Sequence, residues 1–381
     1  MDKSSRVLIS GAGVAGLTAA IWLGRKGFKP VIVEQAADVR ADGYIISLSH
    51  RSYRYADALE LLPELEQRSA GVMASSYHRA GGAALLEFDY ARLFDGVNVI
   101  QIMRDDLQDI LYDKAKDLAE FRFDTSVSGI DHGEHRAEVS FSDGSKEEYE
   151  AVIGADGLHS AVRRLAFNES DVRMRFLGLC SAAYGLPNIF DLEHKFETHM
   201  ERDRYMVVFT TPAGALATVF VWRTALSEAP PAAERRQVLI DAYADTRSFT
   251  RQVLEHCPGD GVFYMDPLVQ IRMNQWHCGQ SVLVGDAAHC MTLISGQGAT
   301  MAFTGACALA ERLVALPTGK AFHAYQQDLQ TTVFDVQDRT RRMARWYVPC
   351  SIWRQALRDA AMWLLPTAYF ENHFKAKYSR A

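Results

Sequence analysis

Val7-Leu8-Ile9-Ser10 runs straight into Gly11-Ala12-Gly13-Val14-Ala15-Gly16, and a second apolar run, Pro30-Val31-Ile32-Val33, ends on Glu34. Nothing else in the chain restricts its fold as much. Strand, glycine turn, helix from Val14 to Lys26 and strand fill a unit of about 30 residues, the length of a βαβ crossover. Gly11 allows the tight turn, Gly13 a close phosphate approach, and Ala15 and Gly16 a helix lying near the strand. The helix start offers N–H groups and a positive dipole end to an anion. Glu34 can accept both hydroxyls of a ribose. The pattern predicts a dinucleotide site; the plainer alternative is a generic tight turn with Glu34 in solvent.

Two later segments repeat the logic of a buried strand ending in an acidic glycine turn. Ala151 to Ala155 leads into Asp156-Gly157, and Ser281 to Val284 into Gly285-Asp286-Ala287-Ala288-His289. The loop Ser295-Gly296-Gln297-Gly298-Ala299 then opens a helix. Its N–H groups can face an electron-rich ring edge and stabilise negative charge there. Asp286 can hold a ribityl hydroxyl. Together the three segments read as one flavin site, with FAD as cofactor. Arg104 begins a helix that carries Leu107, and a cation there opposes the helix dipole unless an anion lies close. Arg40 joins the candidate cofactor contacts.

Other readings stay open. Asp156 is either a flavin contact or part of a turn in which Ser160 caps a short helix. His159, Arg163 and Arg164 are candidates to meet NADPH or NADH. His289 is a weak catalytic candidate, a buried structural histidine being the commoner outcome.

Composition narrows the class. A formal net charge of −6 from 41 basic and 47 acidic residues argues against a broad nucleic-acid surface. The six cysteines contain no C-x-x-C pair, so neither a zinc site nor a disulfide framework is expected, and a cytoplasmic location fits. Residues 287–310 hold no Asp, Glu, Lys or Arg, but their glycines and hydroxyls favour a buried cofactor loop and helix over a membrane span.

The expected fold class is α/β: a Rossmann-like FAD-binding domain of the GR2 type with an inserted antiparallel-sheet substrate domain and a C-terminal helical segment. Residues 1–70, 100–172 and 270–320 are expected to form the discontinuous FAD-binding domain, 71–99 and 173–269 the sheet domain, and 321–381 the C-terminal helices. Ala137 to Phe141 alternates as a strand before the turn Ser142 to Ser145, and Ala232 to His256 reads as one helix. Trp346, Trp353 and Trp363 read as part of an amphipathic segment packed on the body, with a substrate gate or a dimer surface as alternatives.

These motifs, in this order, resemble the class A FAD-dependent monooxygenases, the aromatic-hydroxylase family. Met273-Asn274-Gln275-Trp276 and Ser295-Gly296-Gln297-Gly298 are most similar to its tetracycline-inactivating and polyketide-tailoring branch. The resemblance implies hydroxylation of a multi-ring or phenolic molecule by NAD(P)H and O2 through a flavin C4a-hydroperoxide. It further implies a role in antibiotic resistance or biosynthesis, and a monomer or homodimer with no nucleic-acid or membrane partner. An oxidase, a rearranging tailoring enzyme, and a flavin- or ligand-binding protein without turnover are the alternatives. Two positions depart from the family pattern: Leu293 stands where proline is usual, and Thr300 where asparagine is frequent.

Overall fold

The computed structural model describes residues 5–38, 45–79, 82–246, 249–259 and 261–378. Arg6–Ser10 is the centre of a six-stranded sheet, with Lys29–Val33 and Ala151–Gly154 parallel on either side. Glu120–Arg122 lies beyond Lys29–Val33, and Ser281–Leu283 beyond Ala151–Gly154, both parallel. The short strand His277–Cys278 closes that edge antiparallel. The Val, Ile and Leu runs of the central strands are buried on both faces, as parallel strands under helices must be. Val14–Arg25 packs against both Arg104–Ala115 and Gly298–Ala315.

This strand order carries functional consequences. Arg6–Ser10, Ala151–Gly154 and Ser281–Leu283 are neighbours running the same way, so their C-terminal ends emerge side by side. The glycine turn, Asp156-Gly157 and Gly285-Asp286 follow those three ends. Ligands of open parallel sheets bind beyond such ends. A separate three-stranded meander, Val127–His132, Ala137–Phe141 and Lys146–Tyr149, contains the expected strand and its turn at Gly144.

The second sheet has seven strands, in the order Tyr264–Met273, Val172–Leu186, Leu216–Arg223, Arg204–Thr210, Lys195–Met200, Ala74–Arg79 and Ala84–Asp89. It is antiparallel except where Lys195–Met200 runs parallel to Ala74–Arg79. Side chains alternate between two buried faces. Tyr205, Val207, Phe209, Ala217, Val219 and Val221 share an apolar cluster with Leu293 and Ile294. Met206, Val208, Phe220 and Trp222 face the other way, into a cluster with Leu239 and Val253.

Those last two residues correct one expectation. The segment 232–256 is two helices, Ala232–Ala242 and Phe249–Glu255, not one. The helix ends where Tyr243 and Thr246 turn to partners on the second sheet. The buried Tyr243 hydroxyl lies 2.7 Å from the Tyr205 carbonyl and 3.0 Å from that of Val221, and Thr246 donates to Glu201.

Thr318–Tyr347 is a single 30-residue helix, followed by Ile352–Leu364 and Thr367–Tyr378. Ile352–Leu364 docks on the body through Arg358 and Met362, whereas Trp353 and Trp363 point into solvent. Trp353 and Trp363 are therefore not packed on the body, which corrects the expectation for them: a polar anchor, not the apolar stripe, holds this helix.

Candidate functional site

Gly11 has φ +106°, and a Cβ there would stand 2.6 Å from the Ala155 carbonyl oxygen. At Gly16 a Cβ would stand 1.9 Å from the Gly11 carbonyl oxygen, so only glycine lets the helix sit this close to its strand. A Cβ on Gly13 would meet nothing within 4 Å. Gly11, Gly13, Glu34, Arg104, Asp156 and His159 line one cleft of about 380 Å³. Glu34 fixes the turn from the neighbouring strand: the Ala12 and Ala36 N–H groups each donate to its carboxylate at 2.9 Å. Gln108, which the motif reading passed over, donates to the Ala12 carbonyl at 3.1 Å from the helix that Arg104 opens. Leu107, one residue earlier, is fully buried under that helix, and no local pattern marks the glutamine beside it.

Asp156 combines both of its open readings. One oxygen accepts the N–H groups of Ala161 (2.8 Å) and Val162 (3.1 Å), while Ser160 caps the same short helix through the Arg163 N–H at 3.0 Å. The other oxygen, Oδ1, is buried with no partner among the described residues. A buried acceptor without a donor costs free energy unless a ligand supplies one. That oxygen and the open space at Gly13 fit the hydroxyl-rich, doubly anionic chain of a dinucleotide.

Gly285, at φ +63°, is held between two helices; its Cβ would lie 3.4 Å from that of Ala15 and 3.3 Å from that of Ala302. The first and third motifs are thereby packed together. Asp286 is exposed at the start of the turn that follows Gly285. Desolvation by the surrounding protein pushes its carboxyl upward, and the positive charge of Arg104 and a hydrogen bond with Cys290 hold it back. Arg104 thus serves the Asp286 side of the site as well as the glycine cleft.

The loop beyond is tightly folded. Ser295 donates to the Thr292 carbonyl at 2.9 Å and accepts the Gln297 N–H at 3.0 Å. Gly296 is left-handed at φ +59°, and Gly298 and Ala299 begin the helix Gly298–Ala315 with Gln297 buried before it. Thr300 is buried and donates to the Ser47 carbonyl, tying this helix to the strand Ile45–Ser49. Thr292 adopts φ +71°, ψ +157°, a region that only glycine enters without strain. Its hydroxyl is also buried and unpartnered among the described residues.

Arg163 is not at the cleft mouth. Its guanidinium is buried and donates to the Ala287 carbonyl at 2.7 Å and to the Leu158 carbonyl, and burial pushes its pKa down. Both ends of the fork are occupied by the protein, which corrects the expectation that it meets an incoming nucleotide. His159 and Arg164 are exposed and line the cleft instead.

His289 is buried against Trp276, with ring centroids 4.9 Å apart, and burial lowers its pKa to about 4. Its Nε2 has no partner among the described residues. It is a neutral core ring, the commoner of the two readings. Arg40 lies outside the described residues. A wider recess, about 1060 Å³ between Ala84–Asp89 and Thr367–Tyr378, shares no residue with the three motifs.

A family model described as an FAD binding domain matches residues 4–340. A flavin-dependent monooxygenase of Legionella longbeachae serogroup 1 (strain NSW150) is 31% identical over 319 residues, covering 82% of this chain and 81% of that one. The crystal structure of the tetracycline destructase Tet(51) superposes with a TM-score of 0.82 at 28% identity, over 99% of this chain and 98% of that one. Klebsiella pneumoniae HpxO, solved with FAD and uric acid, has the same fold, with a TM-score of 0.86 at 19% identity over 98% and 96% of the two chains.

Proposed function

The chain belongs to the FAD-binding family of flavin-dependent monooxygenases, and on that premise we propose that it hydroxylates a multi-ring or phenolic small molecule with NAD(P)H and O2. The observation that carries the reading is the junction of Leu293 and Ile294, from the loop after the third motif, with the odd-numbered face of the second sheet. A flat apolar substrate would lie between that face and the loop.

Bound FAD would supply the redox chemistry, accepting hydride and passing one oxygen atom of O2 to the substrate. The rest falls to the protein. Gly11, Gly13 and the start of Val14–Arg25 would hold the pyrophosphate, with Arg104 adding positive charge. Glu34 would hold the adenosine ribose, Asp286 the ribityl chain, and Asp156 a hydroxyl through its free oxygen. The N–H groups from Gln297 to Ala299 would stabilise negative charge on the ring. Leu293, Ile294, Val207 and Val219 would keep water from the reacting atoms. His159 and Arg164 would receive NAD(P)H. The tetracycline destructase among the similar structures supports a multi-ring substrate class.

The test is anaerobic reduction of the flavin-loaded protein by NADPH and by NADH, with and without polycyclic phenols including a tetracycline, followed by turnover in labelled O2. Faster bleaching with one compound and label in its product are expected. Substrate-stimulated NAD(P)H oxidation that leaves no label in any product would replace this reading with an oxidase or a rearranging enzyme.

A further inference from the structure

The outward face of Ile352–Leu364 is apolar from end to end. Ile352, Trp353, Leu357, Trp363 and Leu364 are exposed, the tryptophans by 83% and 72%. Ala356 and Ala360 fill the strip between them. At about 100° per residue these positions fall within one arc of about 140°. Leu365 and Tyr369 continue the strip past the helix end. The inward face carries Arg358, fully buried, which donates to the Tyr347 carbonyl at 3.0 Å and pairs with Asp359 at 2.8 Å. A soluble helix normally turns its apolar stripe inward. Here a polar anchor fastens the helix and the stripe is displayed. A contiguous strip of this kind marks an interaction surface, which singly exposed residues do not.

Charge identifies what meets it. Residues 339–381 carry nine Lys or Arg and two Asp or Glu, a formal +7 against −13 over residues 1–338, within a chain of −6. Beside the start of the helix a small cleft of about 120 Å³ is lined by four arginines, Arg175, Arg223, Arg341 and Arg345. Arg223 also donates to the Val348 carbonyl at 2.6 Å, which fixes the cleft next to the segment that leads into Ile352–Leu364. Asp203 and Asp338 pair with Arg223 and Arg341. Arg175 and Arg345 have no carboxylate partner among the described residues, and both are exposed. Arg342 and Arg354 are exposed nearby. Two outward tryptophans, aliphatic neighbours and bordering guanidiniums match the requirements of a membrane interface with anionic headgroups.

We propose that the C-terminal helices dock this protein on an anionic phospholipid surface, the apolar strip entering the headgroup boundary and the four-arginine cleft taking a lipid phosphate. Among the described residues no helix is long and apolar enough to cross a membrane, so the contact lies in the plane of the surface. The proposal is independent of the redox reading. A surface-docked enzyme would draw an apolar substrate from the lipid phase.

The flavin-loaded full chain is sedimented with vesicles of phosphatidylcholine alone and of phosphatidylcholine with phosphatidylglycerol. Binding to the anionic vesicles, about tenfold weaker on neutral ones and weakened by salt, is expected. Trp353→Glu with Leu357→Glu should abolish it, and Arg175→Gln with Arg345→Gln should remove the preference for phosphatidylglycerol; both leave the flavin bound. Absence of vesicle binding, or binding unchanged in the Trp353→Glu, Leu357→Glu variant, would overturn the proposal. So would a dimer that this variant dissociates without any lipid binding, or inorganic phosphate bound at the cleft by a protein that ignores vesicles.

Discussion

Arg163 and Ala287 join the second motif to the third: the buried guanidinium donates to the Ala287 carbonyl at 2.7 Å while its other arm reaches back to Leu158. Arg163→Met keeps the length and removes both donors, leaving two carbonyls short of a partner at a cost of roughly 3 kcal/mol or more. The variant is expected to melt earlier and to purify with less flavin, with the NADPH KM of its remaining holoenzyme unchanged. Arg164→Ala should do the reverse, raising that KM severalfold with full flavin content. Flavin absorbance of the purified proteins and steady-state kinetics check both.

Glu34 performs two tasks with one carboxylate, and they can be separated. It accepts the Ala12 and Ala36 N–H groups, and its place at the end of Lys29–Val33 offers it to a ribose. Glu34→Gln keeps one acceptor and loses the charge. Charge-assisted hydrogen bonds contribute about 1.5–3 kcal/mol, so FAD affinity should fall roughly tenfold to a hundredfold. Fluorescence titration of the apoprotein with FAD measures it, and the far-ultraviolet spectrum should not change.

His289 makes stability depend on pH. Its folded pKa, about 4, lies below the unfolded value of 6.5. Between those values the unfolded chain binds the proton and the folded chain does not, so stability rises with pH there. The contribution is complete above pH 6.5 and is lost as pH falls toward 4. At about 1.4 kcal/mol per pH unit the loss is roughly 3 kcal/mol. Thermal melts from pH 8 to pH 4 should show it, with a shallower slope in His289→Asn. Activity near pH 8 should not follow the His289 titration.

Legibility followed the range of the interactions. The three motif turns were readable because each depends on residues adjacent in sequence: a buried apolar run, a glycine, an acid. Which face of the second sheet turns toward Leu293 was not, because Leu216–Arg223 is buried on both faces and shows no polar alternation. The break after Ala242 hangs on hydrogen bonds from Tyr243 to strands more than twenty residues away. Arg163 sits beside Arg164, and two adjacent arginines on a short helix look alike in sequence; one is buried by the Ala287 turn and the other is exposed. Gln108 escaped because a glutamine one residue after Leu107 has no local pattern to announce it.

Ala183 should report on the proposed substrate chamber. It pairs in register with Val219, which pairs with Val207, and all three belong to the apolar cluster that includes Leu293 and Ile294. Ala183→Trp adds bulk on that face without touching a motif residue. Overpacking costs about 1–3 kcal/mol, which a partly exposed site tolerates. Flavin content should stay intact while substrate-stimulated NADPH oxidation falls about tenfold or more. Equal loss of flavin and turnover would mean that this face supports the cofactor rather than the substrate.

Thr292 holds a strained backbone beside the loop 295–299, proposed to face the flavin ring. A β-branched residue at φ +71°, ψ +157° costs on the order of 1–3 kcal/mol, and its buried hydroxyl adds to that cost. Leu293 permits the conformation, because a proline at that position would press the preceding residue toward negative φ. Thr292→Gly removes the strain and the orphan hydroxyl but frees the unfolded chain, so its melting temperature should match or exceed the parent's. Leu293→Pro should lower it, since Thr292 must then leave its present angles and carry the Ser295 and Gln297 hydrogen bonds with it. If the strain sets how readily the loop moves, Thr292→Gly should also change the rate of flavin reduction by NADPH, with affinity for FAD held constant. A reduction rate equal to the parent's would confine the strain to stability.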